Sequence, residues 1–273
     1  MPTPVTHLVI AQRILDACPE LVSEGDDGAL GAFLLGSTLA DVRVVTGEPR
    51  AATHFLRLPP QRGDSGIRAM LGAHPRLADP NDADPCARLM VAGYLVHLLA
   101  DEIWLARVYW PYFKQAAARH DMERLLWHDL LRSVVDQQDR TAVPRSFRRV
   151  LESARCPNPF PFISGEALDA WRELLLRELE SPDSSPTFAH FASRYRLPTE
   201  AFVALLRSPD YMARVQGLVP GVTVARYREE AARMGRALVA AYLDGRVREF
   251  PLPLLDPAHS QPCDEQSDKE VAS

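Results

Sequence analysis

Lysine is almost missing from this sequence. Lys+Arg totals 31 among 273 residues, and only Lys114 and Lys269 are lysine, which leaves 29 arginines. Acidic residues number 36, for a net charge of −5. From Asp256 onward the chain holds five acids and one base, so the body before it is nearly neutral. Such a body lacks the basic surplus of a general nucleic-acid binder, and no nucleic-acid partner is expected. Cysteine is also scarce. Cys18, Cys86, Cys156 and Cys263 lie far apart without a CxxC pair, which argues against a disulfide framework. The first residues lack a charged start and an apolar run, so no secretory signal is read. The longest apolar stretches, near 30–39 and 91–100, fall short of a membrane span and contain polar interruptions. A soluble protein of a reducing, cytoplasmic compartment is the expectation. The glycines at 25, 28, 31 and 36 form no Walker loop or dinucleotide fingerprint. Ser37 sits in no nucleophile elbow.

Apolar residues make up 47% of the chain, enough to bury a sizeable core, and the 23 prolines chiefly mark boundaries. Helical spacing predicts helices over 5–18, 26–42, 85–109, 122–135, 144–154, 164–179 and 227–243. Shorter helices are expected near 65–71, 187–195 and 198–206, with 248–255 extended. The stretch 46–85 is rich in proline and glycine and reads as an irregular rim. Pro111 should end the 85–109 helix, which is apolar nearly all round and therefore central. The glycines at 28, 31, 36 and 93 suit close helix approach. The sum is an all-α, compact multi-helix domain over 1–255, followed by a flexible acidic tail over 256–273.

The strongest chemical feature is the pair His97 and Asp101. Four residues advance a helix by slightly more than a turn, so imidazole and carboxylate share one face. One cation can take both without moving the backbone, and it would offset the cost of burying Asp101. A structural hydrogen bond within the pair is the plainer alternative. Other residues of the same chemistry keep it company: His7 interrupts the apolar face of the first helix, Asp41 follows the second, and His54 lies between Thr53 and Phe55. Arg43 and Arg57 stand near these positions and read first as solvated side chains. Phe33, Leu34, Trp104, Tyr109, Trp110, Tyr112 and Phe113 read as core before they read as an apolar entrance. His74, Asp79, Asp82 and Asp84 read as a solvated loop.

The ordered segments 6–11 (THLVIA), 31–41 (GAFLLGSTLAD), 53–55 (THF) and 92–101 (AGYLVHLLAD) resemble the zinc-dependent phospholipase C family, especially its shorter non-secreted bacterial members. The resemblance covers about the first 110 residues. It implies an all-helical fold that holds zinc, with His7, Asp41, His54, His97 and Asp101 as metal ligands. It also implies catalytic roles for Asp41, on the attacking water, and for Asp101, bridging two metals. Five protein ligands exceed one ordinary tetrahedral catalytic site, so one or two zinc ions are expected, with manganese or iron as other ions of suitable chemistry. The chain departs from the family in two places. Secreted relatives use a processed amino terminus as a ligand, whereas Pro2 here lies only five positions before His7. A later set of two histidines and a glutamate is not reproduced, and His120 and His128 are the nearest additional ligands. The expected activity is hydrolysis of a small-molecule or lipid phosphoester by metal-activated water. The rival readings are a metal-dependent hydrolase or biosynthetic enzyme with a non-phosphate substrate, and a non-catalytic helical binding protein.

Overall fold

Thirteen α-helices make up the fold among the described residues. The first group is α1 (Pro4–Ala17), α2 (Asp27–Leu39), α3 (Arg43–Thr46), α4 (Arg50–His54) and α5 (Gly66–Ala73). Then come α6 (Pro85–Trp104), α7 (Asp121–Arg140), α8 (Ser146–Ser153) and α9 (Gly165–Glu180). The last are α10 (Pro186–Arg194), α11 (Thr199–Arg207), α12 (Pro209–Leu218) and α13 (Gly221–Leu243). This computed structural model describes residues 1–23, 25–114, 121–180, 185–252 and 255, and no strand occurs among them. The expected tail 256–273 and His120 lie outside the described residues.

Local chemistry explains the helix starts. Thr3 Oγ1 accepts from the Thr6 N–H, Asp26 from Ala29, and Asp84 from Cys86 and Ala87. Each satisfies a donor that the first turn leaves unpaired. Proline at the first position supports α1 and α6. Asp84 is therefore a cap, and His74 packs its ring against Phe55 and Phe162; neither is merely a solvated loop residue.

The core is organised around α6, which is buried along almost its whole length. Its closest partner is α2, and glycine sets the approach. A Cβ on Gly93 would stand 2.2 Å from the Phe33 carbonyl oxygen, and one on Gly36 would stand 2.1 Å from that of Met90. Any larger residue would have to push the two backbones apart. Trp104, Phe33, Trp110 and Phe113 are buried, as a core reading requires. Two expectations fail here. The long helix does not stop before Pro111 but continues as a π-helix over Leu105–Lys114 with Pro111 inside it. The helical stretches Asp27–Thr46 and Pro85–Lys114 do have the length and apolar composition of a membrane span. The second is 94% buried against the other helices, which is also what a core helix shows.

The cysteine reading is corrected as well. Cys86, in the first turn of α6, forms a disulfide with Cys156, just beyond α8. Their separation of 70 residues in sequence concealed the pairing, because only the packing of α8 on α2 brings the second cysteine to α6.

Candidate metal centre

Four elements converge on one buried point. His7 comes from the first turns of α1, Asp41 from the 3-10 turn Ala40–Val42, His54 from the end of α4, and His97 with Asp101 from α6. The three histidines are at most 1% exposed, and the Asp41 side chain is 15% exposed. His54 does not lie in an irregular loop, as its surroundings in sequence imply. It ends a five-residue helix, and Phe55 then turns the chain with φ of 54°.

Asp101 is the hub. Its Oδ1 lies 3.4 Å from His7 Nε2; its Oδ2 lies 3.3 Å from His54 Nε2 and 3.8 Å from His97 Nε2. Asp41 Oδ1 is 3.5 Å from His54 Nε2. The rings of His7 and His97 stack at 3.9 Å between centroids. Two groups of donor atoms result, His7–His97–Asp101 and Asp41–His54–His97, with all atoms of each group within 4.8 Å of one another.

The donors fit a cation. His7 Nε2, His54 Nε2, His97 Nε2 and Asp101 Oδ1 are buried without a hydrogen-bond partner, a costly arrangement unless something else satisfies them. Two donors of a tetrahedral ion at about 2.0–2.1 Å stand about 3.3–3.4 Å apart, close to most of these separations.

The surroundings orient the rings. His97 Nδ1 lies 3.0 Å from the Ser37 carbonyl oxygen, an acceptor in the last turn of α2, where carbonyls lack partners within the helix. That bond leaves the His97 Nε2 lone pair for a ligand. The Gly36 and Gly93 contact makes it reachable. Thr53 Oγ1 stands 3.0 Å from His54 Nδ1, and the Tyr94 hydroxyl donates to the Thr53 carbonyl. Glu102 accepts from the Ser65 hydroxyl at 3.0 Å and from the Gly66 N–H at 2.7 Å, fastening the start of α5. A Cβ on Gly66 would meet the His54 carbonyl oxygen at 2.3 Å, so α5 in turn supports α4.

Electrostatics separates the two carboxylates from their neighbours. Burial would raise Asp101, but Arg50, with Nη2 at 2.5 Å from Oδ2, and the imidazoles hold it well below the usual range. Burial opposes Asp41 too, and His54 and His97 keep it low. Burial first, and His7 next, lower His97 to about 3, so its ring is neutral at pH 7. Burial pushes Glu102 up to about 7 against its hydrogen bonds from Ser65 and Gly66.

The additional histidine does not join this cluster. His128 Nε2 accepts from Trp104 Nε1 at 2.9 Å, so the lone pair at that nitrogen is used, and burial keeps the ring neutral. Arg50 and Glu102 are the functional neighbours that sequence reasoning missed. Two adjacent acids in an apolar helix were the available signal for Glu102; Arg50 had none beyond being one arginine of many. The amino terminus also sits closer than a count of residues implied. The Met1 amine is buried, and burial, then Arg132, hold it well below its usual value while Asp101 and Asp41 oppose them. The Met1 carbonyl accepts from Arg132 at 2.9 Å.

The centre opens on a cavity of about 230 Å³, lined among others by Asp41, Arg43, Arg50, His128, Arg132 and Arg194. Arg57, by contrast, is exposed. No known protein family, curated protein or solved structure matches the chain.

Proposed function

We propose that this protein is a metal-dependent phosphoester hydrolase whose centre is held by His7, Asp41, His54, His97 and Asp101. The observation that carries the reading is the set of buried, unpartnered imidazole nitrogens gathered around Asp101. The ordered motifs that resemble the zinc-dependent phospholipase C family support it, and a cytoplasmic location goes with the shorter members of that family. Three imidazoles and two carboxylates suit one or two zinc ions, with manganese or iron as alternatives of the same ligand chemistry. A divalent ion at this point supplies Lewis-acid activation of water and of a phosphoryl oxygen.

The chain's own groups do the rest. His97 is neutral far below pH 7, which is the form a ligand needs. Asp101 presents one oxygen toward His7 and the other toward His54 and His97, so each oxygen would be available to a cation held with those imidazoles. Asp41 is the carboxylate on the cavity wall, placed to orient a water and take its proton. Arg50 offsets negative charge beside Asp101.

Elemental analysis of protein purified without added metal tests the reading, followed by assays on phosphomonoesters, phosphodiesters and phospholipids. His97→Ala and Asp101→Asn should each lose most bound metal and at least about a hundredfold in hydrolysis, the scale of a lost charge-stabilising group, with helicity kept. Unchanged metal content in both variants would remove the proposal. Arg50 favours one other reading, a metal-free helical binding protein, because its ion pair neutralises Asp101 unaided. Absence of stoichiometric metal from the purified chain would select it.

A further inference from the structure

The cavity beside the centre holds more positive charge than its own carboxylates balance. Four guanidinium groups line it, those of Arg43, Arg50, Arg132 and Arg194. Arg50 is paired with Asp101 at 2.5 Å. Arg132 and Arg194 share one carboxylate, Asp129, which Arg194 reaches at 3.1 Å and which also accepts from the Tyr195 hydroxyl at 2.7 Å. Arg194 Nη2 lies 3.0 Å from His190 Nε2. Arg43 differs from all three. It is partly buried and makes no ion pair or hydrogen bond among the described residues, and its Nε is enclosed without an acceptor. Asp41, two residues earlier, is the carboxylate that itself lines the wall, while Asp101 and Asp129 reach the cavity only through the arginines they pair with.

Four cations therefore face three carboxylates, two of which belong to the proposed metal cluster. Any divalent ion adds two further positive charges. An unpaired guanidinium inside a partly apolar cavity is unfavourable until an anion meets it. Tyr109, Trp171 and Phe191 are among the apolar residues of the wall. The volume is below the roughly 300–1,000 Å³ of pockets for drug-sized ligands, which favours a small compound.

We infer that this cavity is a subsite for a second anionic group, so that the substrate is a small soluble organic phosphate carrying another phosphate or a carboxylate, held by Arg43 with Arg194 beside it. The inference rests on the reading of the neighbouring cluster as a metal centre, where the first phosphate is placed. A substrate with a cationic head group is disfavoured by the same four arginines.

Calorimetric titration of the purified full chain tests this with three probes: phosphonoacetate, with two anionic groups; methylphosphonate, with one; and glycerophosphocholine, with a cation. Phosphonoacetate should bind about tenfold more tightly than methylphosphonate, the equivalent of one charge-assisted hydrogen bond, and glycerophosphocholine more weakly than either. Arg43→Gln should abolish the preference while metal content stays constant. Equal affinity for the two phosphonates, or a preference that survives Arg43→Gln, would overturn the inference. So would binding seen only with vesicles containing phosphatidylinositol phosphate and not with soluble phosphonoacetate. Equal affinities in metal-loaded protein defeat the subsite alone. Absence of stoichiometric metal from the purified chain defeats the hydrolase proposal, and a phosphonoacetate preference in that same protein still supports the subsite.

Discussion

Arg50 shows how much of the centre depends on a single long-range pairing. Asp101 is 2% exposed, and its nearest cationic neighbour is this guanidinium. Removing one partner of a buried pair leaves an uncompensated charge, a loss on the order of 3 kcal/mol. A bound cation would take over that compensation. Arg50→Gln should therefore destabilise the chelator-treated protein markedly and the zinc-supplemented protein much less, as read by urea unfolding. Equal losses under both conditions would argue that no cation reaches Asp101. This pairing was invisible in the sequence because it spans 51 residues and Arg50 is one of 29 arginines. His97 and Asp101 were legible from their spacing alone, since helix geometry puts positions four apart on one face. His7, Asp41 and His54 were legible only through ordered motifs, because no local rule links a first-helix imidazole to a turn carboxylate and a short-helix imidazole. His128 misled for the opposite reason: it lines the neighbouring cavity, but Trp104 occupies its Nε2.

Helices of several turns were readable where capping residues and apolar spacing agreed, as in α1, α2 and α6. Those of one turn, α3 and α4, were not, because four or five residues cannot display a period. The π-helical extension also escaped, since Pro111 ordinarily predicts an end. The covalent link between α6 and the segment after α8 depends on tertiary packing alone. A bridge closing a loop of this length stabilises by roughly 2–4 kcal/mol, chiefly by restricting the unfolded chain. Replacing Cys86 and Cys156 together by alanine, or adding reductant, should lower the thermal midpoint accordingly. Metal content should not change, because Cys86 lies about 16 Å along α6 from His97, at 1.5 Å per residue. Equal midpoints for oxidised, reduced and doubly substituted protein would show that the link adds nothing.

Away from the centre, the all-helical body contains a second set of buried charges. Arg140 Nε meets Asp136 at 2.6 Å and also bonds to Glu178, which in turn accepts from Thr187. Burial pushes Asp136 up to about 6, against Arg140 and with Glu178. The folded carboxyl thus holds its proton more firmly than an unfolded aspartate, whose pKa is about 3.9. Its contribution to stability is complete below that value and is lost as pH rises through about 6. Asp136→Asn should accordingly flatten the fall of the unfolding midpoint between about pH 4 and pH 6, measured against wild type at matched ionic strength. A difference between the two proteins that does not vary with pH would contradict the assignment. The glycine crossing of α2 and α6 has a consequence for the whole molecule as well. With carbonyl oxygens already at the positions where any Cβ would go, those two helices have no slack along their contact, and His97 and Asp101 inherit that stiffness. Whatever adjustment accompanies capture of an ion must then come from the opposite wall, where Asp41 and His54 ride on single turns of chain.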